Sequence, residues 1–198
     1  ASSAIVKSSN ITVRLARSND VASIRNINLR TLPENYTKDF YDNQLFQYPK
    51  LSLVAESSPD EDGRSMVVGY VLGQTKGLQP TWAGGSRGPF AAKEGHITSL
   101  AVAPEYRRQG IAMRLIAALH ERLEGEHGSR DCSLHVRRSN ASAVRLYRDV
   151  FGYGVASVER GYYTAGGGGG GARRGARAGA AGERGRRRGE CVRACCAR

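Results

Sequence analysis

Between Glu94 and Glu159 strand and helix signals alternate, and that alternation constrains the fold more than any other feature of the chain. Strand-like runs at Glu94–Ala103, Cys132–Arg137 and Tyr153–Glu159 are separated by helical patterns over Gly110–Glu124 and Asn140–Val150. Parallel neighbours need crossover helices of this kind. A β-α-β-α-β order therefore predicts an α/β fold with a mixed sheet and helices on both faces.

The N-terminal half extends the pattern. Ile11–Ala16 alternates like a half-buried strand, and Ser18 is placed to cap a helix running to Arg30, with Asp20 in its first turn. Leu32-Pro33-Glu34-Asn35-Tyr36 breaks that helix, because a proline disfavours helical backbone at the residue before it, and a second helix is expected from Thr37 to Phe46. Leu51–Glu56 and Met66–Thr75, joined by a turn-rich segment from Ser57 to Gly63, read as an antiparallel hairpin. Lys76–Lys93, with the cluster Ala83-Gly84-Gly85-Ser86-Arg87-Gly88 and two prolines, reads as a surface loop in which Trp82 is a substrate contact or a packing staple.

The chain has 198 residues and 40% hydrophobic content, enough for one buried core. No window reaches the roughly 18 continuous apolar residues of a membrane span, and the N-terminus lacks a secretory layout. A cytoplasmic protein with no membrane association is the expectation. The organisation expected is a flexible N-terminus over residues 1–10, a domain over 11–165, and a Gly/Arg-rich disordered tail over 166–198.

The tail explains most of the net charge of +12, since residues 166–198 hold nine arginines against two glutamates. The moderately basic body suits a ligand bearing phosphates, and nucleic acid is a partner through the tail alone. The Gly, Ala and Arg composition fits a genuine Arg/Gly extension that binds RNA or ribosomes, or equally a gene-model artefact such as a shifted reading frame. Cys191, Cys195 and Cys196 lack the second half of a zinc site, and His96 and His135 are too few for one, so no metal is assigned.

The sharpest local signal is Arg107-Arg108-Gln109-Gly110-Ile111-Ala112, between a strand and the helix that follows it. Backbone N–H groups there would face a pyrophosphate with the helix dipole behind them. Gly110 and small Ala112 allow close approach, and the two arginines supply charge-assisted hydrogen bonds.

In that setting the chain resembles the GNAT acetyltransferases, whose acetyl-CoA loop reads Gln/Arg-x-x-Gly-x-Gly/Ala after the fourth strand. It is similar, more narrowly, to NatA-type N-terminal acetyltransferase catalytic subunits and their archaeal relatives. The segments that carry the likeness are Leu32–Tyr36, Gly95–Val102, Leu134–Asn140 and Gly161-Tyr162-Tyr163. The resemblance implies a GNAT fold, a mixed central sheet of about six to seven strands flanked by about four helices. Chains of that type follow the paired tyrosines with an acidic stretch and a last strand. Here glycines and arginines stand in that place, so the sheet lacks a strand unless the tail supplies a surrogate.

The resemblance further implies transfer of acetyl from acetyl-CoA, with no metal required, to the α-amine of protein N-termini that begin with small residues such as Ser or Ala. The partners implied are N-terminal peptides and a large auxiliary subunit at the ribosome. Glu34 is implied as the base, His135 as an alternative or second base, and Tyr147 as the acid for the departing thiolate. Leu100, Ala101 and Val102 would offer backbone N–H groups to the thioester and pantetheine, with Asn140 and Tyr147 on the same side. Leu32, Pro33, Glu34, Tyr36, Tyr162 and Tyr163 would wall the peptide slot. Plainer readings exist beside these: Glu34 as a solvated loop residue, the tyrosines as core aromatics, and Asn140 as a helix cap. The alternative functions are a GNAT enzyme acting on a lysine side chain or small amine, and a non-catalytic GNAT-like binding module.

Overall fold

The structure, a computed structural model, describes residues 11–59, 62–76, 94–160 and 190–197. Strand β1 (Ile11–Leu15) leads through a short 3-10 turn into helix α1 (Val21–Thr31), followed by α2 (Lys38–Gln47). Strands β2 (Ser52–Ser57), β3 (Val67–Lys76) and β4 (Glu94–Val102) precede α3 (Ile111–His127), β5 (Asp131–Arg137), the short α4 (Ala141–Arg145), β6 (Gly154–Arg160) and β7 (Glu190–Ala197). They form one seven-stranded sheet ordered β1-β2-β3-β4-β5-β7-β6, antiparallel throughout except for the parallel pair β4 and β5.

Each face of the sheet carries its own core. Helix α3 buries Ile111, Leu115, Ile116, Leu119 and Leu123 at one-face spacing against Leu53, Val71, Ile97 and Leu134. It lies close to the sheet because Gly73 and Gly95 have no side chains: a Cβ at either would stand 2.7 Å from a methyl of Leu119 or Leu123. Helices α1 and α2 cover the opposite face through Ile24, Ile27 and Tyr41, packed on Val54, Tyr70, Leu72 and Ala101. The hairpin of β2 and β3 has the antiparallel pairing expected of it.

Two local expectations need correction. Ser18 does not cap α1; it lies within the 3-10 turn, and Asp20 accepts the Arg17 N–H at 2.7 Å while pairing with Arg14. Asp20 stands three residues after Arg17, the position from which a carboxylate reaches back to the N-cap N–H. The helix expected over Asn140–Val150 is α only to Arg145 and continues as a π-helical turn over Leu146–Val150.

Within the segment read as a tail, Glu190–Ala197 supplies the surrogate strand that the sheet would otherwise lack. That strand is β7, inserted between β5 and β6 and hydrogen-bonded to both. Val192, Ala194 and Cys196 fall on alternate positions and enter the α3-side core. The alternation is hidden among arginines and glycines, but it suffices to fill the sheet and close the inner edges of β5 and β6. Residues 166–189 and 1–10 lie outside the described residues, as does the Lys76–Lys93 loop beyond Lys76.

Candidate active site

The segment from Leu32 to Tyr36 is fixed at both ends. Leu32 N–H donates to the Asn28 carbonyl at 2.9 Å as α1 ends, and Thr37 Oγ1 accepts from Phe40 N–H as α2 begins. Tyr36 stacks on Phe40 with ring centroids 4.1 Å apart and meets Tyr41 edge-on, while Leu32 packs against the core beneath α1 and α2. Pro33 is exposed and Glu34 half-buried. The Glu34 carboxylate is held by Arg137: Nε donates to Oε1 at 2.6 Å, and Nη2 donates to the same oxygen.

Arg137 arrives there by strand periodicity. On β5, Cys132, Leu134 and Val136 enter the α3-side core, so Ser133, His135 and Arg137 face the α1 and α2 side. His135 lies edge-on to His96 of β4, ring centroids 5.4 Å apart. His96 Nδ1 is 3.0 Å from Ser133 Oγ, and burial, followed by the nearby charges of Lys76, His135 and Arg193, holds its pKa down to about 3. This imidazole is neutral at physiological pH. Arg193 of β7, opposite His135 in register, pairs with Glu94 at 3.1 Å. The Glu34–Arg137 pair and the His96–His135 pair thus lie on one side of the sheet, carried by the α1-to-α2 segment and by β4 and β5.

Beside them the sheet splits. Across β3 and β4, Leu72 pairs with Ser99 and Gly73 with Ile97, which leaves Thr98 as a bulge. Pairing of β4 with β5 ends at Ile97 and Leu134, so Leu100, Ala101 and Val102 diverge from β5. The divergent segment runs into Arg107-Arg108-Gln109-Gly110-Ile111-Ala112 and the N-terminus of α3. Gly110 has φ +75 with nothing within 4 Å of the place a Cβ would occupy, and Arg108 shares the left-handed conformation at φ 66. Open space over a left-handed turn at the start of a seventeen-residue helix fits a pyrophosphate, with Ile111 buried and Ala112 half-buried beneath it. Arg107 Nε is committed to the Val102 carbonyl at 3.1 Å, tying the loop to β4, while Arg108 and Gln109 are exposed.

Asn140 caps α4, its Oδ1 accepting from Ala143 N–H at 3.2 Å. Tyr147 lies in the π-helical turn, buried against Tyr153 with ring centroids 5.5 Å apart. Burial, reinforced by neighbouring Cys132, pushes its phenol pKa above the ordinary value, so it stays protonated. The plainer readings of both residues are realised, and neither touches Glu34. Tyr162, Tyr163 and Trp82 lie outside the described residues. Arg137 is the residue that sequence reasoning missed, although its place two positions after His135 on a strand signalled a shared face.

The bulged and split sheet thus opens beside a left-handed turn at the start of α3. The profile of the acetyltransferase (GNAT) family matches residues 21–153, and the chain belongs to that family. It is 36% identical over 154 residues, 78% of this chain and 79% of the relative, to the N-terminal acetyltransferase A complex catalytic subunit ard1 of Schizosaccharomyces pombe. An N-alpha-acetyltransferase of Saccharolobus solfataricus is 32% identical over 160 residues, 81% of this chain and 90% of the relative. Among solved structures, Chaetomium thermophilum Naa20 in complex with a bisubstrate analogue superposes with TM-score 0.69 at 26% identity, over 94% of this chain and 86% of that one.

Proposed function

We propose that this chain transfers acetyl from acetyl-CoA to the α-amine of protein N-termini. The observation that carries the reading is the Glu34 carboxylate, anchored by Arg137 beside the split between β4 and β5. Both hydrogen bonds from Arg137 fall on Oε1, and Oε2 is the oxygen that meets an incoming amine. An α-amine, with a pKa of about 8, must lose a proton before it attacks a thioester.

In this mechanism acetyl-CoA, when bound, supplies the activated acyl group. Arg108, Gln109 and the backbone from Gly110 to Ala112 hold its pyrophosphate, and the backbone of Leu100, Ala101 and Val102 holds the arm and carbonyl. Glu34 accepts the amine proton, directly or through water, with His135 as the second base. Tyr147, kept protonated by burial, is the donor for the departing thiolate, and Asn140 borders the same side. Leu32, Pro33 and Tyr36 wall the peptide slot and exclude a lysine side chain. N-termini beginning with Ser or Ala are the preferred acceptors. A large auxiliary subunit is supported by the likeness to the catalytic subunit of a complex, and a cytoplasmic site of action beside the ribosome completes the reading.

The test is Glu34→Gln, which keeps the shape and cannot take the proton. Peptide kcat should fall roughly 10²-fold or more while acetyl-CoA affinity is unchanged. An unchanged kcat with its acidic limb intact removes Glu34 from the chemistry and makes His135→Ala the next variant.

A further inference from the structure

Asn28, Tyr70 and Ser99 form a buried chain of side-chain hydrogen bonds beneath the site. Asn28 Nδ2 donates to Tyr70 Oη at 3.0 Å, and Tyr70 Oη lies 2.9 Å from Ser99 Oγ. Asn28 and Tyr70 are 0% exposed and Ser99 only 6%. Since Tyr70 Oη accepts from Asn28, its own proton is free to bond Ser99. Asn28 Oδ1 has no hydrogen-bond partner among the described residues, so the contact with Tyr70 is the polar tether of that side chain. Apolar side chains would fill this space without any polar group to satisfy, so the network has a cost in stability that packing alone does not require.

What the chain connects gives it a purpose. Ser99 directly follows the bulge residue Thr98 and directly precedes Leu100, where β4 leaves β5. Asn28 lies in the last turns of α1, and its carbonyl accepts the Leu32 N–H at 2.9 Å, two residues before Glu34. Hydrogen bonds and short covalent steps therefore run from the β4 bulge through Tyr70 and Asn28 to the Glu34 segment. Arg137 holds the far side of that segment to β5. Tyr70 itself sits on β3, paired in register with Ala101. One phenol joins the strand proposed to hold the thioester to the helix that presents the proposed base.

We propose that Tyr70 is a positioning residue for acetyl transfer, setting the spacing between the Glu34 segment and Leu100–Val102 through Asn28 and Ser99. The proposal rests on the reading of Glu34 as base. A displacement of about 1 Å between reacting groups can cost roughly 10²-fold in rate, so a tether of this kind has a measurable effect on turnover.

Tyr70→Phe keeps the ring and its packing and deletes both hydrogen bonds. The expected result is a folded protein with wild-type acetyl-CoA affinity and a peptide kcat lower by roughly 10-fold or more. Assays are run at a temperature where both proteins are fully folded by circular dichroism, so that lost stability does not contribute. The same substitution is then made in the Glu34→Gln background, where positioning through Glu34 predicts little or no further loss. Ser99→Ala breaks one link of the chain and, if Tyr70→Phe does not fold, carries the same two-background comparison. A wild-type kcat in folded Tyr70→Phe, or an equal fold-loss in both backgrounds, overturns the positioning role. Full kcat in Glu34→Gln alone overturns the base reading, and that result is seen before Tyr70 is changed.

Discussion

Arg137 and Glu34, 103 residues apart in sequence, meet at 2.6 Å, with two guanidinium nitrogens donating to one carboxylate oxygen. A strand end and a helix-to-helix segment are thereby locked together at the place where the sheet opens. The pair is half-buried, with side chains 32% and 26% exposed, so its value lies in orientation more than in stability.

Replacing Arg137 should therefore damage turnover more than folding. Arg137→Ala should lower kcat by roughly 10-fold or more, and Arg137→Lys should recover only part of it, because an ammonium lacks the planar fork that two donors require. Melting temperatures within a few degrees of wild type beside these losses would support the assignment. Wild-type kcat in Arg137→Ala would remove it.

Gly110 tests the cofactor turn. With φ +75 and open space around it, Gly110→Ala should cost roughly 1–2 kcal/mol of stability through backbone strain alone, without a clash. Gly110→Glu should abolish acetyl-CoA binding by crowding the pyrophosphate and setting a negative charge beside it. Calorimetry separates the two effects, and unchanged affinity in a folded Gly110→Glu variant would contradict the site.

How much of this was legible in the sequence follows from the range of each interaction. Strand and helix order, the break at Pro33 and the turn before α3 rest on local periodicity and backbone preference, and each is found in place. The contact of Arg137 with Glu34 and the route through Tyr70 depend on which strands become neighbours, and no local pattern carries that. β7 was lost for a different reason. Composition averaged over the tail concealed a short alternation at Val192, Ala194 and Cys196 that only the waiting edges of β5 and β6 make meaningful. Asp20 in place of Ser18 shows the same limit at short range, since pairing with Arg14 on β1 decides which side chain holds the turn.

β7 should be indispensable to the fold. Val192 is buried on the core face of that strand, flanked in register by Val136 and Val158. Val192→Asp places an uncompensated carboxylate there, at a cost of several kcal/mol, a large part of a domain's stability. Urea denaturation should show a much lower midpoint, and the freed edges should promote aggregation. A midpoint equal to wild type would mean that β7 is not part of the stable sheet.

His96 gives the protein a specific acid sensitivity. Its pKa in the folded state, about 3, lies below the unfolded value near 6.5, so protonation favours unfolding. Its contribution is complete above pH of about 6.5 and is lost progressively as pH falls toward about 3. His96→Asn should flatten the stability profile across that window, whatever its effect at neutral pH. An identical slope in both proteins would show that His96 is not the buried neutral group described.

The most direct measurement pairs two peptides of the same sequence, beginning with Ser and containing one internal lysine, one with a free N-terminus and one with the N-terminus blocked. Incubated with the chain and acetyl-CoA and analysed by tandem mass spectrometry, the free peptide should gain one acetyl group on its α-amine and the blocked peptide none. Acetylation of the lysine in the blocked peptide at a comparable rate would contradict N-terminal acetyl transfer as the activity of this site.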